Sequence, residues 1–249
     1  MTTFRTVSGL LAGALLFVGL ALGCGAVGGE REPLFLNPSP EPRRFGDHGP
    51  ETRYVVLGDS TAAGRGGDYE KGIAISTARE LAHGRRVVLV NLAVSGARIG
   101  DVRQNQLAEA CRLHANLVLL VAGSNDVTHL TPIRSMRQDL RAIAATLREG
   151  NPRIAIVVTG SADIGSPPRV PFLLRPIASI RTKRVNRMVR RLADAERLTF
   201  APIAEETGPL FRRDRTLFSA DAFHPNDRGY ATWIPVLNRA LARALPTSP

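Results

Sequence analysis

Four short segments of the chain carry side chains that could do covalent chemistry together. They are Gly58-Asp59-Ser60-Thr61, Ala93-Val94-Ser95-Gly96-Ala97, Gly123-Ser124-Asn125-Asp126 and Asp221-Ala222-Phe223-His224-Pro225. A serine hydroxyl is a poor nucleophile at its own pKa and needs a neighbouring base. His224 can take that proton and pass it on to a leaving alkoxide or amine. Such a base must be held in one tautomer, and a carboxylate on its second ring nitrogen does this. Asp221 stands three residues before His224, near enough to turn back onto the imidazole. These residue types permit attack on an acyl carbonyl through a covalent acyl-enzyme. Read by itself, Gly-Asp-Ser is more commonly a helix N-cap, so the reading depends on the other three segments.

The apolar runs between these segments must form the elements that position them. "RYVVLG", "RVVLVNLAV", "ANLVLLVAG" and "RIAIVVTG" are short, β-branched and apolar on both faces. Strands of that character belong in a parallel sheet covered by helices on both sides. Ile133, Met136, Leu140, Ile143 and Leu147 recur at helical spacing, as do Val185, Met188, Val189 and Leu192. A weaker fifth strand, "RLTFAPI", follows, and a last helix is expected from about Asp227 to Ala244. The alternation predicts a single α/β domain, doubly wound in three layers around a mostly parallel five-stranded sheet, with ligands at the carboxyl ends of the strands. Three of the four segments terminate strands and the fourth precedes the last helix, so all four can meet on one rim.

This ordered set resembles the SGNH hydrolase superfamily, also called GDSL esterases and lipases. The resemblance runs from about Tyr54 to the C-terminal helix. It implies a flavodoxin-like fold, with Ser60 as nucleophile and His224 and Asp221 completing the triad. It further implies an oxyanion hole made by the backbone N–H groups of Ser60 and Gly96 and the side-chain amide of Asn125. Thr61 stands where the family name has Leu, and "HPNDRGY" matches the stretch that follows the family's histidine. The chain has no G-x-S-x-G elbow, which argues against an α/β-hydrolase. The expected activity is hydrolysis of an acyl ester of a lipid, glycan or small molecule. An acyltransferase using the same acyl-enzyme and a non-catalytic binding protein are the alternatives.

Other residues carry smaller expectations. Asp59 and Asp126 read as structural, capping helices or tying loops. His129 and Asp163 follow strand ends and are candidates for lining the site, each with a bland loop role as its competitor. The stretch "SPPRVPFLLRPIAS" should pass the rim, where Val170, Phe172, Leu173 and Leu174 either receive an acyl chain or act as a flap, or else fold inward to complete the core. Substrate-contacting loops are expected around 65–69 and 166–176. Arg181, Arg184, Arg187, Arg190 and Arg191 form a basic helix face, either merely solvated or drawn to anionic headgroups. Cys111 reads as a small buried hydrophobe. No cluster suited to a metal ion and no cofactor motif is visible.

The chain has 249 residues and a net charge of +11, with 33 basic against 22 acidic side chains. Only Lys71 and Lys183 are lysines, so the excess is arginine. Nucleic acid is not the expected partner, because the N-terminus directs the chain elsewhere. Arg5 precedes an apolar run over 7–23, which reads as a secretory signal over 1–23. It ends in Leu20-Ala21-Leu22-Gly23-Cys24, resembling a lipobox in which Cys24 becomes the lipidated terminus, with Ala21 where Leu is usual. An uncleaved anchor and ordinary cleavage are the alternatives. Each exports the rest of the chain, to the outer face of the membrane, the cell envelope or the medium. Pro, Gly and charge over 24–51 predict a flexible tether, followed by the domain over 52–249. A monomer held at the membrane by its N-terminal lipid or anchor is the expected state.

Overall fold

The computed structural model describes residues 35–245. The apolar run over 7–23, Cys24 and the first part of the expected tether lie outside the described residues. Strand β1 spans Arg43–Phe45, β2 Glu51–Gly58, β3 Arg86–Asn91, β4 Leu117–Val121, β5 Ala155–Val158 and β6 Thr199–Phe200. They form one sheet in the order β1-β3-β2-β4-β5-β6. Strands β2 to β6 are all parallel, with Tyr54 opposite both Leu89 and Leu117. Their order reverses beside β2, which creates a crevice at the carboxyl ends of β2, β3 and β4.

The apolar strand runs alternate between two cores. Val55, Leu57, Val118, Leu120, Ile156 and Val158 face one layer of helices. That layer holds α2 (Ile99–Asn105), α3 (Leu107–Arg112), α5 (Ile133–Gly150) and α6 (Arg175–Ala195). Met136, Leu140, Ile143 and Leu147 of α5 and Val185, Met188, Val189 and Leu192 of α6 are buried there, as their spacing requires. Tyr54, Val56, Leu117, Leu119 and Val157 face the opposite layer. It comprises α1 (Ile73–Leu81), α7 (Ile203–Arg213) and α8 (Asp227–Ala244). One short helix, α4 (Ser124–Thr128), leads directly from the end of β4.

The sheet has a sixth strand in addition to the five expected, and it comes from the segment read as tether. β1 pairs antiparallel with β3, Arg43 opposite Leu89 and Phe45 opposite Val87. Arg43 also reaches Glu70 at 2.5 Å. Ahead of it, Phe35 packs on the core and Asn37 Oδ1 accepts from Ser95 N at 2.8 Å. Two arginines on a three-residue edge strand, with Pro42 just ahead of it, discourage further pairing. That composition is also what makes the segment look like a linker. Among the described residues, no helix is long and apolar enough to cross a membrane.

Candidate active site

β2 delivers Ser60 to the end of the sheet, and three polar contacts fix the turn. Asp59 N donates to Val121 O at 3.0 Å, extending the β2–β4 pairing by one residue. The amide of buried Gln106 brackets Gly58: Oε1 accepts from Gly58 N and Nε2 donates to Gly58 O, both at 2.9 Å. Asn91, at the end of β3, donates from Nδ2 to Ala62 O at 2.9 Å. Asp59 turns away from the cleft and accepts from Thr61 N and Thr61 Oγ1 at 2.9 and 2.7 Å, the tying role expected of it. Burial pushes its carboxyl up to about 6 despite these bonds.

The loop before α8 brings His224 to the nucleophile. Ser60 Oγ lies 2.8 Å from His224 Nε2. His224 Nδ1 meets Asp221 Oδ2 in a short contact. Donation from Nδ1 to Asp221 leaves the Nε2 lone pair for the serine proton. Asp221 Oδ1 accepts from Ser219 Oγ, Phe223 N and His224 N at 2.7, 2.8 and 2.8 Å. Burial raises the Asp221 pKa, but the His224 ring, Ser219 and the backbone donors outweigh it and hold the carboxyl well below the ordinary range. Arg65 adds a cation 4.0 Å from Oδ2.

The "HPNDRGY" stretch holds this loop from behind. Asn226 caps α8 by accepting from Gly229 N, while its Nδ2 donates to Thr216 O and Phe218 O. Asp227 accepts from Asp68 N at 2.7 Å and pairs with Lys71 at 2.8 Å. The 65–69 loop, expected to contact substrate, is therefore pinned behind His224 and does not line the cleft. At Gly66, a Cβ would come within 2.8 Å of His224 Cβ and 2.5 Å of Pro225 O. Only glycine lets the loop lie this close to the histidine.

The two remaining segments close the rim. Val94 N donates to Gly58 O at 3.1 Å, which carries the chain after β3 past the Ser60 turn to Gly96. Gly96 adopts φ +87, and a Cβ there would meet nothing within 4 Å. Glycine is needed here for its backbone conformation and not for close approach. Asn125, in the first turn of α4, donates from Nδ2 to Ala97 O at 3.1 Å and so joins the Gly96 and Asn125 segments. Asp126 accepts from Ile99 N at 3.0 Å and ties the same two loops. Arg181 turns inward, unlike its helix neighbours, and donates to Val127 O and Thr131 O at 3.1 and 2.7 Å. Gln106 and Arg181 have no sequence pattern of their own. Their roles lie in bonds to backbone far away in the chain.

The cleft beside Ser60, His224 and Asn125 has a volume of ≈ 40 Å³ and walls dominated by Phe211, Phe218, Phe223 and Trp233. Ser166 and Pro167 line it, but Phe172 and Leu173 neither line it nor fold into the core, being 77% and 81% exposed. The loop places Val170 in the core instead. Asp163 also lines the cleft, its Oδ1 accepting from Ser179 Oγ at 3.0 Å and its Oδ2 lying 2.6 Å from Arg212. His129 is exposed at the end of α4 and bonds the Asn125 carbonyl at 2.9 Å, away from the cleft. Cys111 is half-buried against the core, and burial pushes its thiol up. Among the described residues, no group of three or more His, Cys, Asp or Glu side chains could hold a metal ion.

The sequence profile of the GDSL-like lipase/acylhydrolase family matches residues 56–232, from β2 to the middle of α8. The chain belongs to this family. It is 31% identical over 201 residues to the GDSL-like esterase Rv1075c of Mycobacterium tuberculosis, a match covering 78% of this chain and 63% of that relative. Among solved structures it resembles TesA, with a TM-score of 0.64 and 20% identity over 78% of this chain and 99% of the other. Phospholipase A1 from Streptomyces albidoflavus gives a TM-score of 0.57 and 20% identity over 76% of this chain and 99% of the other. The acetylxylan esterase Axe2 from Geobacillus stearothermophilus, solved as a catalytic mutant, gives 0.58 and 17% over 78% and 95%. At these identities the structures establish the fold, a mostly parallel sheet between two helical layers.

Proposed function

We propose that this member of the GDSL-like lipase/acylhydrolase family is a serine ester hydrolase of the cell envelope, working through Ser60, His224 and Asp221. The observation that carries the reading is the Ser60 Oγ–His224 Nε2 distance of 2.8 Å, with Asp221 on the far ring nitrogen. His224 takes the Ser60 proton as Oγ attacks the ester carbonyl, then delivers it to the departing alkoxide. Asp221, kept ionised, stabilises the imidazolium formed between those steps. The developing oxyanion is met by the N–H groups of Ser60 and Gly96 and by Asn125 Nδ2. Water, deprotonated by His224, then releases the acyl group and restores Ser60. A small cleft walled by aromatic rings favours a short acyl group over a long one. Export, and retention at the membrane through Cys24 or the apolar run before it, is supported by the N-terminal sequence.

A p-nitrophenyl ester series of rising chain length, applied to the full chain, tests this. Turnover should be highest on short acyl groups and fall by on the order of 10⁴ or more in Ser60→Ala. Unchanged turnover in Ser60→Ala would refute the reading.

A further inference from the structure

Phe172 and Leu173 form an exposed apolar tip at the start of α6, and the helix behind them carries an unusual outer face. Pro176, Ile180, Lys183, Arg184, Arg187 and Arg191 all point outward. At 3.6 residues per turn they occupy about 100° of the helix circumference and a stripe of roughly 22 Å. Its near end is apolar, Ile180 being 52% exposed, and it is cationic from Lys183 to Arg191, with the exposed acid Asp194 beyond. Arg181 is spent on backbone carbonyls and Arg190 on Glu205. Among the described residues, Lys183, Arg184, Arg187 and Arg191 have no ion-pair partner.

Hydrogen bonds hold the loop that carries the tip. Arg175 donates to Pro168 O and Val170 O, both at 3.0 Å, and Arg169 N donates to Ala222 O at 3.0 Å in the catalytic loop. The same loop supplies Ser166 and Pro167 to the cleft wall. The tip therefore lies five residues along the chain from the cleft wall. The N-terminal segment reaches the loops after β2 and β3, with Phe35 under the Arg65 guanidinium at 5.7 Å and Asn37 on Ser95. Only ten residues separate Cys24 from Phe35, so a chain retained at the bilayer by its N-terminus keeps this part of the domain within about 40 Å of the bilayer.

We infer that the Phe172–Leu173 tip and the outer face of α6 form a docking surface for an anionic lipid bilayer. The tip enters the acyl-chain boundary while the unpaired cations meet acidic headgroups. An amphipathic surface of this division suits an interface with hydrocarbon beneath a negative plane. A polyanion alone would satisfy the cations and leave the tip in water. The docking is a property of the surface, separate from the ester-hydrolase reading. Where that reading holds, it brings the cleft mouth to esters carried in the membrane.

The test is Leu173→Trp in the full chain. Trp233 is the sole native tryptophan and is buried, so it supplies a fixed background. With vesicles of phosphatidylcholine containing one third phosphatidylglycerol, the introduced indole should shift its emission to the blue and be quenched by brominated acyl chains. Vesicles of phosphatidylcholine alone should give neither change. Adding Arg184→Glu and Arg187→Glu should weaken the vesicle dependence by at least about tenfold. Water-like, unquenched emission while the protein co-floats with anionic vesicles would overturn the inference. So would equal quenching in neutral vesicles, or an equal blue shift with heparin and no lipid. Turnover of p-nitrophenyl acetate by the same variants reports on Ser60 separately, so failed docking and failed esterase chemistry are distinguishable.

Discussion

The Tyr230 hydroxyl donates to the carbonyl oxygen of Arg65 at 2.6 Å, joining the first turn of α8 to the loop that backs His224. Tyr230 is fully buried, so the bond forms at the edge of the core. Tyr230→Phe should lower stability by about 1–2 kcal/mol. Because Gly66 lies against His224, kcat for p-nitrophenyl acetate should also fall several-fold. Urea denaturation and steady-state kinetics on the same preparation check both. Full stability and full kcat would mean that the Arg65 loop does not support the histidine.

Gln106 is the sole side chain bonding both backbone groups of Gly58 among the described residues. Gln106→Leu fills a similar volume but leaves the buried Gly58 N–H unpaired, while Gly58 O keeps its bond from Val94 N. A stability loss of about 1–3 kcal/mol is expected. The loss should appear in chemical denaturation, with activity falling in the remaining folded fraction as the Ser60 turn loosens.

Asn125 and Gly96 are predicted to fail in different ways. Asn125→Ala removes a donor aimed at the rim and should cut kcat by about 10²–10³ with little change in KM. Gly96→Ala meets no steric obstacle but places a Cβ residue at φ +87, which costs about 1–2 kcal/mol. It should therefore show a lowered midpoint of thermal unfolding as well as reduced kcat. Equal kinetics for wild type and Asn125→Ala would remove the side-chain amide from the oxyanion hole.

Asp59 gives a pH dependence with a definite sign. Its carboxyl is raised by burial to about 6 in the fold, against an ordinary value of 3.8. The folded state therefore holds the proton more tightly than the unfolded state, and stability falls as pH rises between those two values. Asp59→Asn keeps an oxygen for Thr61 and carries no charge. The stability of the variant relative to wild type should rise across that window and level off above it. Urea denaturation of both proteins over the same pH series measures this, and parallel curves would contradict it.

What could be read in the sequence was the part written locally. Ser60, Asn125 and the Asp221–His224 pair stand in short motifs beside apolar runs or before the last helix, so their convergence follows from the period of the pattern. The buried faces of α5 and α6 are legible for the same reason. β1 was not, because three residues between prolines and glycine carry no periodicity, and pairing with β3 is what makes them a strand. Gln106, Arg181 and Tyr230 were missed as supports because each acts on backbone 48 or more positions away. The apolar character of Phe172 and Leu173 left an acyl-chain contact, a flap and the core open to them. Pro168, Val170 and Arg175 instead fix a loop that holds them out.

The central claim is that Ser60, activated by His224, becomes covalently acylated. Mass spectrometry of the intact protein quenched during turnover of p-nitrophenyl acetate tests it directly. A single acetyl adduct that maps to Ser60 is expected, absent in Ser60→Ala and formed orders of magnitude more slowly in His224→Ala. An adduct on another residue, or acetylation that persists in Ser60→Ala, would contradict the account.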